Sequence, residues 1–183
     1  MPKTTPCSTV DDNYENLFSG FRWQVPERFN LAEVCCARWA RRTPAATAIV
    51  QAVEGAAHTR MSYAELQSEA NRLSNALQRL GVRRGDRVAI VMAQRFETAV
   101  AHIALYQLGA VAMPLSMLFG PDALEYRLND SQARAAICDD NSIDNLLVAR
   151  KACPQLECVV GVGAAGARAD IDWRTALRTE AST

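Results

Sequence analysis

The chain has 183 residues, enough for one domain with a real core, and its 49% apolar and 22% charged composition excludes a chain disordered throughout. Twenty basic and twenty acidic side chains cancel, so no overall field draws nucleic acid or an anionic membrane surface to it. Only Lys3 and Lys151 are lysines, which leaves few of the amine point charges that nucleotide sites set against phosphates.

Residues 1–20 read as a flexible polar tail without the apolar h-region of a secretory signal. From Leu31 to Arg41, the apolar residues Leu31, Val34, Cys35 and Trp39 define an amphipathic helix that Thr43-Pro44 ends. A β-prone stretch from Ala46 to Val53, a turn at Glu54-Gly55 and a return over His58 to Met61 predict a small hairpin. Ser62 and Glu65 have capping-box spacing, and Leu66, Ala70, Leu73, Leu77 and Leu80 recur at helical intervals before Gly81 supplies a left-handed stop.

Gly85-Asp86 turns the chain into Arg87 to Met92, an apolar strand suited to burial on both faces. A helix with Phe96, Val100, Ile103 and Gln107 on one face ends at Gly109, and Ala110 to Met113 predicts a short buried strand stopped by Pro114. Pro121 opens a helix containing Leu124 and Leu128, and Arg134 to Cys138 reads as a strand. Ile143 to Arg150 then reads as a short helix and Leu156 to Val160 as a further strand. Alternating strands and helices over residues 21–160 predict an α/β domain with a mostly parallel, doubly wound sheet. Residues 161–183 read as a Gly/Ala linker and a brief helical ending around Ile171 to Leu177.

Candidate chemistry is sparse. The cysteines at 7, 35, 36, 138, 153 and 158 form no C-x-x-C pair, and His58 and His102 have no ligand spacing to them, so no zinc site is expected. Cys35 and Cys138 fall in apolar stripes, where a free thiol packs as a small hydrophobe; unpaired thiols fit a reducing, cytoplasmic setting. Gly161, Gly163 and Gly166 match dinucleotide-fingerprint spacing, but the long helix and second strand that an NAD site needs do not follow, so a linker is the better reading. Asp139-Asp140 and Asp11-Asp12 are adjacent carboxylates whose side chains diverge on extended backbone. The first pair reads as a turn and helix cap. His102 reads as a packed histidine, and Arg72, Arg79, Arg83 and Arg84 as a solvated helix face. The longest apolar run, Val88 to Ala93, falls far short of the ~20 residues of a membrane-crossing helix.

Met61-Ser62-Tyr63-Ala64-Glu65-Leu66, followed by Gly81-Val82 and Gly85-Asp86-Arg87-Val88-Ala89, resembles the opening core motif of the adenylate-forming synthetases. Leu108-Gly109-Ala110-Val111-Ala112-Met113-Pro114-Leu115 resembles their second core motif, and Leu124 to Asp130 the segment after it. Phe21 to Asn30, the helix with Trp39-Ala40, and Ala152-Cys153-Pro154-Gln155-Leu156 are similar to the medium-chain acyl-CoA synthetases. The likeness extends from about Phe21 to Thr183.

That resemblance implies the N-terminal part of an AMP-forming acyl-CoA synthetase. Such enzymes activate a small-molecule carboxylic acid with ATP and Mg2+ to an acyl-adenylate and pass the acyl group to CoA. It further implies that the chain stops before the Ser/Thr/Gly-rich phosphate loop, the nucleotide and magnesium motifs and the catalytic lysine, so no catalytic residue maps onto it and it is expected to be inactive alone. Ser116 to Gly120 resembles a stretch near the CoA channel, with Leu118 where relatives can have a polar residue. The competing expectation is a non-catalytic module that docks on a separately encoded remainder of the synthetase or on an intact homologue.

Overall fold

A computed structural model describes residues 14–52, 55, 57–178 and 180–182. The first thirteen residues of the expected tail, with Lys3, Cys7 and Asp11-Asp12, lie outside the described residues, as do Val53 and Glu54 of the expected hairpin. The last part of the expected tail is helical, α1 over Tyr14–Gly20. An extended segment then runs to Asn30, whose Oδ1 accepts from the backbone N–H groups of Ala32 and Glu33 and so opens the next helix.

That helix corrects the predicted stripe. It contains a π-helical turn, Glu33–Ala37, before α2, Arg38–Arg42. The wider turn brings Ala32 and Cys36 into the core, while Leu31 and Cys35 stay exposed. Burial pushes the Cys36 thiol up to about 11 and that of Cys138 up to about 12, so both pack as inert hydrophobes.

β1, Thr47–Gln51, and β2, Thr59–Ser62, pair antiparallel with an irregularity between Thr47 and Ile49. Ser62 ends β2 and caps α3, Tyr63–Arg79. Its Oγ accepts from the Glu65 N–H at 3.3 Å and its own N–H donates to the Glu65 carboxylate at 2.7 Å. The helix buries Leu66, Ala70, Leu73 and Leu77, as their spacing requires, and Gly81 follows at φ +92°.

The main sheet contains β3, Arg87–Val91; β4, Val111–Pro114; β5, Ala135–Cys138; β6, Cys158–Gly161; and β7, Ile171–Asp172. Its order is β4-β3-β5-β6-β7, with all four neighbouring pairs parallel. The intervening helices are α4, Phe96–Leu108, α5, Pro121–Ser131, and α6, Ile143–Arg150; α7, Trp173–Arg178, follows β7. Val88, Ile90, Ile137 and Val160 pack against α3, α4 and α7 on one face. Ala89, Val91, Ala136 and Val159 pack against α5 and α6 on the other. This double covering is why the strands read as continuous apolar runs.

Three boundaries differ from expectation. β4 is an edge strand with exposed ends rather than a buried one, which is what lets Pro114 occupy its last position without breaking a ladder. Ile171-Asp172 adds a fifth strand where helix was expected, because Val160 and Gly161 offer it a parallel partner. In place of a linker, Gly163–Ala167 winds into a 3-10 turn with Ala165 buried beside β6.

Leu73 has no exposed surface and lies between α3 and the sheet. Leu73→Ala is expected to lower the unfolding free energy by ~2–5 kcal/mol, read as a lower urea midpoint.

Candidate functional site at the carboxyl end of the sheet

β3 leads through α4 to β4 on one side, and the chain then returns through α5 to β5 on the other. The carboxyl ends of β3 and β5 therefore flank a topological switch point, the place where open α/β sheets form ligand crevices. The loops at residues 92–95, 115–120, 139–142 and 162–167 lie at this end.

Asp139 is buried there. Its carboxylate accepts from the Ala93 N–H at 3.1 Å, in the loop after β3, and from the Asn141 N–H at 3.1 Å. Ser142 Oγ donates to the Val91 carbonyl, adding a second stitch between the two loops. Asp140 points to a different neighbour and accepts from the Ala165 N–H in the 3-10 turn. The two carboxylates diverge, as expected, although β5 ends at Cys138 and Asp140 already lies in the turn. Both join loops by taking backbone donors. The expected turn is present, with the Ser142 and Ile143 N–H groups donating to the Asp139 carbonyl at 3.1 Å, but the expected helix cap is not: Ser142 holds the N-cap position of α6, and the two carboxylates are taken up by Ala93, Asn141 and Ala165.

Arg95 forms a forked pair with Glu97 at 2.8 and 3.1 Å, which holds its guanidinium pKa above the ordinary value, and Asp139 and Asp140 add to that field. Leu118 stands 86% exposed on the loop after β4, its N–H donating to Ser116 Oγ at 3.1 Å. The adjacent Phe119 ring lies 4.1 Å from the Arg127 guanidinium carbon. His102 is half-buried, its Nδ1 is 3.2 Å from the Tyr106 hydroxyl, and burial lowers its pKa.

The arginine group has mixed roles. Arg79 pairs with Glu180, Arg83 donates to the Gln78 carbonyl at 2.6 Å near the end of α3, and Arg84 lies against Gly109. Arg72 lines a cleft of about 360 Å³ with Glu69, Glu97, Trp173 and Arg174, between α3, α4 and α7. The Glu69 carboxyl is raised, mainly by burial and then by the charge of Glu97.

The glycine run has close-packing reasons of its own. A Cβ on Gly161 would meet the Ala165 backbone at 2.5 Å; one on Gly166 would meet Asp172 at 2.3 Å; Gly163 has φ +71°. No α-helix N-terminus follows the run, which leads into a five-residue 3-10 turn, so it lacks the pyrophosphate seat of a dinucleotide site. For a divalent cation the donor set does not fit. No three His, Cys, Asp or Glu side chains converge among the described residues, and Asp139 and Asp140 already accept backbone N–H groups.

Sequence reasoning overlooked the loop-joining role of Asp139 and Asp140, although two acids directly after an all-apolar strand were a visible signal. It also overlooked a polar clasp on α3. Asn71 Nδ2 donates to the Ser182 carbonyl at 2.7 Å and Asn75 Nδ2 to the Ala181 carbonyl at 3.1 Å, four residues apart on one helix face.

The family model described as AMP-binding enzyme matches residues 36–181, most of the chain. The chain belongs to the AMP-binding enzyme family. Among the family's curated proteins, it is 29% identical over 180 residues to an acetyl-coenzyme A synthetase of Novosphingobium aromaticivorans, covering 89% of the chain and 28% of that enzyme. An acetyl-coenzyme A synthetase of Escherichia coli O157:H7 is 34% identical over 123 residues, covering 67% of the chain and 19% of the enzyme. The chain thus spans less than a third of the length of these relatives. The solved structure of an anthranilate CoA ligase in complex with anthranoyl-AMP superimposes with a TM-score of 0.74 at 24% identity, covering 87% of this chain and 30% of that one. It establishes the α/β fold.

Asp139→Ala is expected to remove the acceptor of two part-buried backbone N–H groups and to lower the unfolding free energy by roughly 1–3 kcal/mol in all, with faster hydrogen exchange at Ala93 as the readout. For Glu69, whose ordinary value is 4.5, the raised carboxyl makes the fold lose stability as pH climbs through that value toward the folded pKa. Glu69→Gln is therefore expected to raise the melting temperature at neutral pH, with the gain vanishing at pH well below the ordinary carboxyl range.

Proposed function

We propose that this chain is the front of an ATP-dependent carboxylic acid:CoA ligase and does not adenylate an acid alone. The observation that carries the reading is the family match over residues 36–181, together with a switch-point crevice whose side chains are engaged in holding loops together. Adenylyl transfer depends on positioned cations and backbone donors around the phosphates. In the assembled enzyme, ATP, Mg2+ and CoA would be held chiefly by residues outside this chain, and the setting would be the cytoplasm. Leu118 would contribute apolar surface, with no side-chain hydrogen bond, at the edge of the CoA channel.

The acid is proposed to be a medium-chain fatty acid, on the likeness of Phe21 to Asn30 to that group. The acetyl-coenzyme A synthetase relatives make acetate its rival. A second reading, a non-catalytic module that docks on a separately encoded remainder or an intact homologue, is favoured by the exposed aromatic side chains before residue 30.

Purified chain is expected to give no ATP–pyrophosphate exchange with acetate, octanoate or anthranilate; exchange above a protein-free control would overturn its inactivity. The coding sequence following the Thr183 codon is expected to supply a Ser/Thr/Gly-rich loop with a lysine. With that enzyme whole, octanoate should exceed acetate in kcat/KM, and the reverse order would remove the medium-chain assignment.

A further inference from the structure

The geometry points to the segment from Tyr14 to Phe29 as a docking surface for the body of an AMP-binding enzyme, the part of the family's length that this chain does not match. This inference rests on the docking reading above and gives it a location.

Tyr14, Phe18, Phe21, Trp23, Val25 and Phe29 are all exposed, Trp23 by 82%. Their rings gather with one another, Tyr14 with Phe18 at 5.7 Å and Phe21 with Trp23 at 5.0 Å, yet the clusters remain open to solvent. Large apolar side chains exposed this densely along one short segment point to an interaction site on a folded protein. Hydrogen bonds within the segment are local, from the Phe21 N–H to the Leu17 carbonyl and from Arg22 to the Ser19 and Phe21 carbonyls. At its far end Asn30 Nδ2 donates to the Tyr106 carbonyl of α4 at 3.1 Å. The aromatic surface is therefore presented from one fixed end.

Two observations select the occupant. The match to the Novosphingobium enzyme covers 89% of the 183-residue chain, so 11%, about 20 residues, lies outside it. Even with every unmatched residue at the front, Phe21 onward lies within the matched span. From Phe21 onward the segment thus aligns with that enzyme, of which this chain covers 28%, ahead of the family match that begins at residue 36. The charges of the segment also cancel, with Glu15 and Glu27 against Arg22 and Arg28. It has no basic excess to seek anionic lipid, whereas aromatic anchors on a neutral ground suit the core of a protein interface.

The test uses the full 183-residue chain and two baits from the Novosphingobium synthetase. One is its body beyond the matched stretch, co-expressed with the chain; the other is the whole synthetase lacking only the segment that aligns with Phe21 to Phe29. Capture of the chain in a one-to-one complex by either bait is expected. The triple variant Phe18→Ser, Trp23→Ser, Phe29→Ser should weaken that capture by roughly thirty-fold or more, with unchanged far-UV circular dichroism and melting temperature. Blue-shifted tryptophan emission that depends on Trp23 should accompany binding.

Capture by neither bait overturns the proposal, as does equal capture of the variant. Self-association of the chain that the variant abolishes, without capture by a bait, would make a second copy the occupant. Partition into phosphatidylcholine–phosphatidylglycerol vesicles without capture would make it lipid. Adenylation is not read in these experiments, so turnover by the chain alone would overturn its proposed inactivity and leave the docking result standing.

Discussion

Burial of β3 on both faces is the constraint on which the rest of the structure depends. Val88 and Ile90 meet α3 and α4, while Ala89 and Val91 meet α5 and α6. A strand so covered needs parallel partners on both sides, and the chain supplies them by leaving first toward β4 and then toward β5. The reversal places four loops at one end of the sheet. That end is a candidate site because of the topology, before any side chain is considered.

Side chains then make the crevice rigid. Asp139 and Ser142 bind the loop after β5 to the end of β3, and Asp140 binds it to the 3-10 turn after β6. Gly161 permits a backbone approach that a Cβ would block, and Gly166 leaves room for the Asp172 side chain. A glycine pattern that resembles a cofactor loop is thereby explained by packing, and an adjacent carboxylate pair by backbone hydrogen bonding. Preorganisation of this kind is what a ligand site needs from its scaffold, whether or not the scaffold touches the reacting atoms.

Family membership and chain length have to be read together. The chain has the fold of the front of an adenylate-forming enzyme, and its curated relatives are more than three times as long as the stretch they share with it. The polar clasp of Asn71 and Asn75 on residues 181–182 and the exposed aromatic segment before Asn30 are both surfaces at the ends of this unit. The first is occupied by the chain's own backbone, whereas the aromatic groups of the second face solvent.

Local patterns determined much of this protein. The Ser62–Glu65 cap, the leucine spacing of α3, the stops at Gly81 and Gly109, the Pro121 helix start, the strands β3 and β5 and the burial of β3 were all legible, because each depends on neighbours within a few residues. The family motifs lie on those same elements. Tertiary structure decided the rest. The π-helical turn that exchanges Cys35 for Cys36 in the core, the edge position of β4, the pairing of Ile171-Asp172 with β6 and the convergence of Asp139 on Ala93 all depend on partners distant in sequence. Each is set by which backbone groups and apolar faces the rest of the fold leaves to be satisfied, and periodicity within one segment does not encode that.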